Sequence, residues 1–176
     1  TVLGVDNILA LRGDPMKNES AFVPTEGGNA YALNLIEQIN EMNNGQYLYE
    51  ETKNSPSNFC IGTAGYPEKH FEAMNLSTDM KHLKKKVDAG AEFIVTQLFY
   101  DNEKFFDFVE KCREIGINVP IIPGIKPITK LRHLSFIPKF FHVNFPESFS
   151  NELEKCKTDE EIKRVGIEWT TAQCKE

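Results

Sequence analysis

The sequence lacks the marks of several protein classes, and each absence narrows the reading. No apolar run approaches the roughly 20 residues needed to cross a bilayer, and no signal peptide opens the chain, so neither a membrane partner nor export is expected. A basic excess is missing too. Twenty Lys and Arg stand against 26 Asp and Glu, giving a net charge of −6 and a pI near 5.3, which offers nucleic acid no attractive field. The four cysteines (Cys60, Cys112, Cys156, Cys174) form no CxxC pair, so neither a zinc site nor a disulfide framework is indicated. They read as free, mostly buried thiols of a reducing compartment, and a cytoplasmic location is the expectation. There is no residue-level repeat and no low-complexity tract. An initiator methionine and a polar lead-in are also missing, and the last residues stop within a helical pattern, as expected for part of a longer chain.

What is present is one domain's worth of core: 176 residues, 40% apolar and 26% charged. Four apolar runs rich in branched residues recur at intervals of about thirty to fifty residues: "NILALRGD" (7–14), "FCIGTAGY" (59–66), "FIVTQLFYD" (93–101) and "VPIIPGIKPI" (119–128). They do not alternate polar with apolar, which suits strands buried on both faces of a parallel sheet. Helical patterns separate them. Over 29–43, Ala32, Leu33, Ile36 and Ile39 share a stripe and Gly45 is a stop. Over 77–91, Ser77 or Thr78 is the expected cap, with Met80, Leu83, Val87 and Ala91 on one face. Over 102–115 Asn102 is the expected cap, and Phe105, Phe108, Val109 and Cys112 point inward. A further helix starts near Thr129, carries Leu131 and Leu134, and stops at Pro138. The acidic segment 146–176 is helical, with Thr158 and Glu161 spaced as a capping box.

Strand–helix alternation predicts an α/β fold with right-handed crossovers. In barrels and open sheets of this class, ligands sit beyond the carboxyl ends of the strands. Those ends are therefore the informative places. The first is Arg12-Gly13-Asp14 and the second Tyr66-Pro67-Glu68; the third carries Gln97 and ends in Phe99-Tyr100-Asp101; the fourth is Gly124-Ile125-Lys126-Pro127. Polar and aromatic groups gathered at one rim suit a polar, planar ligand. A glutamine amide in an otherwise apolar strand is costly to bury unless its donor and acceptor are used.

"NILALRGDP", "GYPEKH", "KKKVDAGAEFIVTQLFYD" and "IIPGIKPI", in this order and spacing, resemble the methylenetetrahydrofolate reductase family from about Asn7 to Ile128 and more loosely beyond. The resemblance implies a (β/α)8 TIM barrel, of which residues 1–176 would be a single partial domain: about strands four to seven with their helices, closed by the helical segment 146–176. It implies non-covalent FAD, NADH or NADPH as reductant, and reduction of methylenetetrahydrofolate to methyltetrahydrofolate in one-carbon metabolism and methionine biosynthesis. A homo-oligomer is compatible with it. The family's general-acid glutamate lies on the first strand, where this chain has no counterpart, so the segment alone is expected to be a poor enzyme.

Residue by residue, the resemblance carries cofactor contacts onto Arg12, Gly13, Asp14, Tyr31, Ala32, Tyr66, His70, Ala73, Asp79, His82, Lys85 and Lys86. Asp14 would lie beside the flavin ring and the folate, Lys86 near the diphosphate, and backbone N–H groups of Tyr31 and Ala32 at a helix start. Substrate contacts fall on Asp14, Gln97 and His133, with Asp14 and Gln97 tuning and orienting. His82 departs from the small amide expected at its position, and Ile137 stands near the family's folate-stacking aromatic, with Phe140 and Phe141 close by. Without the resemblance, Arg12 and Asp14 read as a strand-end ion pair, "KHLKKK" as a solvated helix face, and Gln97 as a core amide bonded to a neighbouring strand. Two other readings are a non-catalytic flavin- or folate-binding module and another FAD barrel such as a proline dehydrogenase relative.

Overall fold

The structure is a computed structural model that describes residues 4–15, 19, 21–48 and 55–176. Its strands are β1 (Asn7–Ala10), β2 (Cys60–Gly65), β3 (Phe93–Leu98) and β4 (Ile121–Gly124). Its helices are α1 (Ala32–Asn43), α2 (Leu76–Asp88), α3 (Asn102–Glu114), α4 (His133–Phe141), α5 (Glu147–Leu153) and α6 (Asp159–Gln173). The strands form one parallel sheet in the order β1-β2-β3-β4. Register pairs Ala10 with Thr63, Thr63 with Ile94, and Ile94 with Ile121, so these four residues form one row on one face.

That face is where the helices pack. Ala10 and Ile61 meet Ile36 and Ile39 of α1, while Ile94 meets Met80 and Leu83 of α2 and Phe108 and Cys112 of α3. The other face carries Leu9 and Ile122, 42% and 47% exposed. Helices confined to one face of a sheet whose strands follow chain order make an arc of a barrel, whereas an open doubly wound sheet covers both faces. On the inner face the Phe93 ring lies over Gly62, where a Cβ would come within 2.3 Å of it.

A third core joins the exit of β3 to the last helices: Leu98, Tyr100, Ile128, Ile137, Phe149, Leu153 and Ile162, with Trp169 against them. Trp169 Nε1 donates to Tyr100 O (3.0 Å) and Gln173 Nε2 to Phe99 O (3.0 Å), so α6 satisfies backbone that the strand leaves unpaired. Among the described residues, no helix is long and apolar enough to cross a membrane.

Several boundaries move. β1 ends at Ala10, its last residue paired to β2, and Arg12-Gly13-Asp14 lie outside it. The cap of α2 is Asn75, whose side chain accepts from Thr78 N–H; Ser77 and Thr78 fall inside the helix. Asp101 caps α3 by accepting from Glu103 N–H. Asn102 instead donates to Gln173 O and Glu176 Oε2. Pro138 does not stop α4, which starts at His133 and runs on to Phe141 before His142 turns left-handed at φ 53°. The apolar burial of Ile137, Phe141 and Val143 offsets the backbone bond that proline cannot make. The Thr158–Glu161 capping box forms as expected. Of the four free thiols only Cys112 is buried; Cys60 and Cys156 are half-buried and Cys174 is exposed.

Candidate functional site at the strand ends

The turn after β2 is the most heavily bonded part of the rim. Tyr66 leaves the strand and meets the His70 ring edge-on, with centroids 4.7 Å apart; Phe71 stacks on the other side of His70 at 4.8 Å. Asp79 Oδ2 accepts from His70 N–H (2.8 Å), and His70 Nδ1 accepts from Glu72 N–H (3.2 Å). Lys69 Nζ donates to the carbonyls of His70, Phe71 and Ala73. Burial pushes the His70 pKa down, against the opposing charges of Asp79 and Glu72. Burial foremost raises that of Tyr66, with Asp79, Asp14 and Glu72 adding to it and Arg12 opposing.

Lys86 reaches from α2 to β2, where its Nζ donates to Ala64 O at 2.6 Å. Burial lowers its pKa to about 8, with Asp79 opposing. Among the described residues no carboxylate forms an ion pair with it. A desolvated ammonium bonded to one neutral oxygen is a site prepared for an anion. Lys85 and His82 are exposed on α2, and their side chains bond to none of the described residues, as a solvated helix face would have it.

At the end of β1, Arg12 does not pair with Asp14. Its Nη2 bonds Glu72 Oε2 at 2.6 Å, and its guanidinium lies 5.4 Å from the centre of the Phe22 ring. Asp14 is exposed and makes no hydrogen bond or ion pair to the described residues. Gly13 has a free flank: a Cβ there would meet only the Phe22 ring edge at an ordinary 3.5 Å. Tyr31 is the N-cap of α1 and 63% exposed; no side chain caps this helix, so the first N–H groups, Ala32 among them, are open.

Gln97 is on the inner face of β3, and its Oε1 accepts from the N–H of Leu98 (2.9 Å), not from a neighbouring strand. With Tyr66, Pro67 and Glu68 it lines a crevice of about 10 Å³ whose far wall is Phe141, His142 and Val143. His133 is not on that wall; its Nδ1 accepts from Thr129 N–H (3.3 Å) at the start of α4. The sequence placed Glu68 at the end of β2 but not its partner, since Glu68 binds both the N–H and the side-chain amide of Asn144; it gave no sign of His142, which stacks on Phe71 at 4.8 Å. Contacts between residues about 70 positions apart leave no periodic trace. The run "GYPEKHFEA" does mark the turn itself.

Known proteins were compared with the chain. The family model described as methylenetetrahydrofolate reductase matches residues 1–176. "Methylenetetrahydrofolate reductase (NADH) 1" of Arabidopsis thaliana is 44% identical over 182 residues, covering 98% of this chain and 29% of that protein. "Methylenetetrahydrofolate reductase 2" of Saccharomyces cerevisiae is 39% identical, covering 97% and 27%. "Probable methylenetetrahydrofolate reductase (NADPH)" of Caenorhabditis elegans is 37% identical, covering 98% and 24%. The chain thus spans under a third of the length of these relatives. A solved protein from Clostridium thermocellum, described as binding two copies of 5-methyl-5,6,7,8-tetrahydrofolic acid, superposes on 67% of this chain and 42% of its own, with 20% identity and a TM-score of 0.48; that likeness is too weak to add to the comparison. The match over its whole length accounts for the arc of (β/α)8 barrel: the chain belongs to the methylenetetrahydrofolate reductase family.

Proposed function

We propose that this chain forms the cofactor- and folate-facing rim of a flavin-dependent reductase that converts 5,10-methylenetetrahydrofolate to 5-methyltetrahydrofolate with NADH or NADPH, in one-carbon metabolism and methionine biosynthesis. One observation carries the reading within the family. Tyr66 and Gln97 line one crevice, and Arg12 from the exit of β1 is bound to Glu72 in the turn that carries Tyr66. Three strand ends, far apart in sequence, thus serve one place.

The residues fit FAD. Lys86 is a half-buried cation with no ion pair among the described residues, and a diphosphate would supply one. Lys85, Asp79 and His82 lie on the same helix, and Tyr31 and Ala32 offer open N–H groups to phosphate or ribose oxygens. Gly13 leaves room for close approach beside Arg12 and Asp14, and Tyr66, His70 and Ala73 of the turn after β2 would supply further contacts. When bound, the flavin supplies hydride acceptance and donation, and the protein orients and tunes. Asp14 would hold a negative charge beside the ring and disfavour its reduced, anionic form. The Gln97 side-chain NH2 has no partner among the described residues, so the amide can donate to a pterin or nicotinamide. His133 would reach a substrate only through Nε2, its other nitrogen being engaged.

The test is spectroscopic. Full-length protein should be isolated yellow or become so with FAD, be bleached anaerobically by NADH or NADPH, and recover its colour on adding methylenetetrahydrofolate. A protein that takes up no FAD would overturn the reading.

A further inference from the structure

Lys69 and His142 are the only non-glycine residues with positive φ among the described residues, and Lys69 at φ 98° is the further from an ordinary side-chain conformation. Such backbone persists where its surroundings over-determine it. Here the surroundings are its own side chain. An ammonium has three donors, and Lys69 Nζ uses them on His70 O (3.0 Å), Phe71 O (3.3 Å) and Ala73 O (2.7 Å). The turn is wrapped around the cation. Lys69 is accordingly not a charge held out for phosphate, unlike Lys86.

The wrapping fixes His70 at nearly every handle. Its carbonyl takes the ammonium and Ala73 N–H, its N–H goes to Asp79, and its ring is held between Tyr66 and Phe71. Its Nδ1 accepts from Glu72 N–H, and an imidazole nitrogen that accepts carries no proton. The ring proton therefore sits on Nε2, which bonds none of the described residues. We propose that Lys69 is a positioning residue, gathering residues 70–73 around its ammonium so that His70 offers Nε2–H as a hydrogen-bond donor to the ligand of this rim. That the ligand is the flavin rests on the function proposed above; the tautomer and the role of Lys69 do not.

Nitrogen NMR of histidine-labelled protein at neutral pH tests this. The chain has only four histidines, and the His70 signals are identified by their loss in His70→Gln. Wild type and Lys69→Arg, whose guanidinium also donates to several carbonyls, should show His70 as the Nε2–H tautomer alone. Lys69→Gly adopts φ 98° without strain, so it keeps the fold while losing the ammonium, and it should show mixed tautomers. An Nδ1–H wild type, or a Lys69→Gly protein with an unchanged tautomer, overturns the proposal. In FAD titrations, Lys69→Gly should bind about tenfold more weakly, one hydrogen bond's worth, and Lys69→Arg should recover the affinity. Equal affinities would overturn the donor role. A wild type that binds no FAD overturns the function proposed above, while the tautomer comparison still decides the role of Lys69.

Discussion

The connections leaving β1 and β2 serve the same rim and are built in opposite ways. After β2, the turn binds itself: a lysine across three carbonyls, an aspartate on a backbone N–H, a histidine between two rings. After β1, Leu11 is 51% exposed, Asp14 makes no hydrogen bond or ion pair to the described residues, and Arg12 is held by Glu72, which belongs to the other turn. The β2 turn is thus a wall that stands before any ligand arrives. The β1 exit borrows its order from that wall and leaves its carboxylate in solvent. Binding energy can be concentrated where nothing must be reorganised, whereas the exposed carboxylate of Asp14 stays free to reorient.

The comparison can be broken most forcefully at Lys86. Replacing it with Met should weaken FAD binding about a hundredfold, the worth of charge-assisted bonds to phosphate, measured by flavin fluorescence titration. The ligand-free protein should not lose stability by the change. Because the folded lysine titrates at about 8, below its ordinary 10.5, the unfolded chain binds the extra proton between those values. The cost of the buried charge is full below about pH 8 and fades as pH rises toward 10.5. Wild type should therefore gain on Lys86→Met across that window in thermal melts.

A smaller effect separates the two connections directly. Asp79→Ala orphans the His70 N–H inside the bonded turn and should cost about 1–2 kcal/mol in urea unfolding. Arg12→Ala should cost under about 1 kcal/mol, and a double-mutant cycle with Glu72→Ala should give a coupling of roughly 0.2–1 kcal/mol. Smallest is Asp14→Asn, expected within about 0.5 kcal/mol of wild type in stability while lowering turnover with methylenetetrahydrofolate. A loss of stability at Asp14 as large as that at Asp79 would erase the contrast.

The order of strands and helices was legible because buried parallel strands read as branched apolar runs and their crossover helices as stripes. Ends were less so. Asn75, Ser77 and Thr78 are all competent caps within four positions, and only the backbone's entry angle chooses among them. Pro138 reads as a stop from local chemistry, yet tertiary burial of Phe141 and Val143 outweighs it. At the rim, Gln97 stood out as an amide in an apolar strand and Tyr66 as a strand end, whereas Lys86 was marked only by the family resemblance, its run of charges reading locally as a solvated helix face. The pairing of Glu68 with Asn144 and the stacking of His142 did not stand out, since they come from a meeting of two distant loops.

The seal that α6 places on the carbonyls of Phe99 and Tyr100 also has a kinetic side. Those bonds join residues 69 and 74 positions apart, so the loop-closure entropy must be met before they form. The backbone just beyond Gln97 is completed only when α6 has docked, so the carbonyls at this end of β3 depend for their partners on a helix about 70 residues further along the chain.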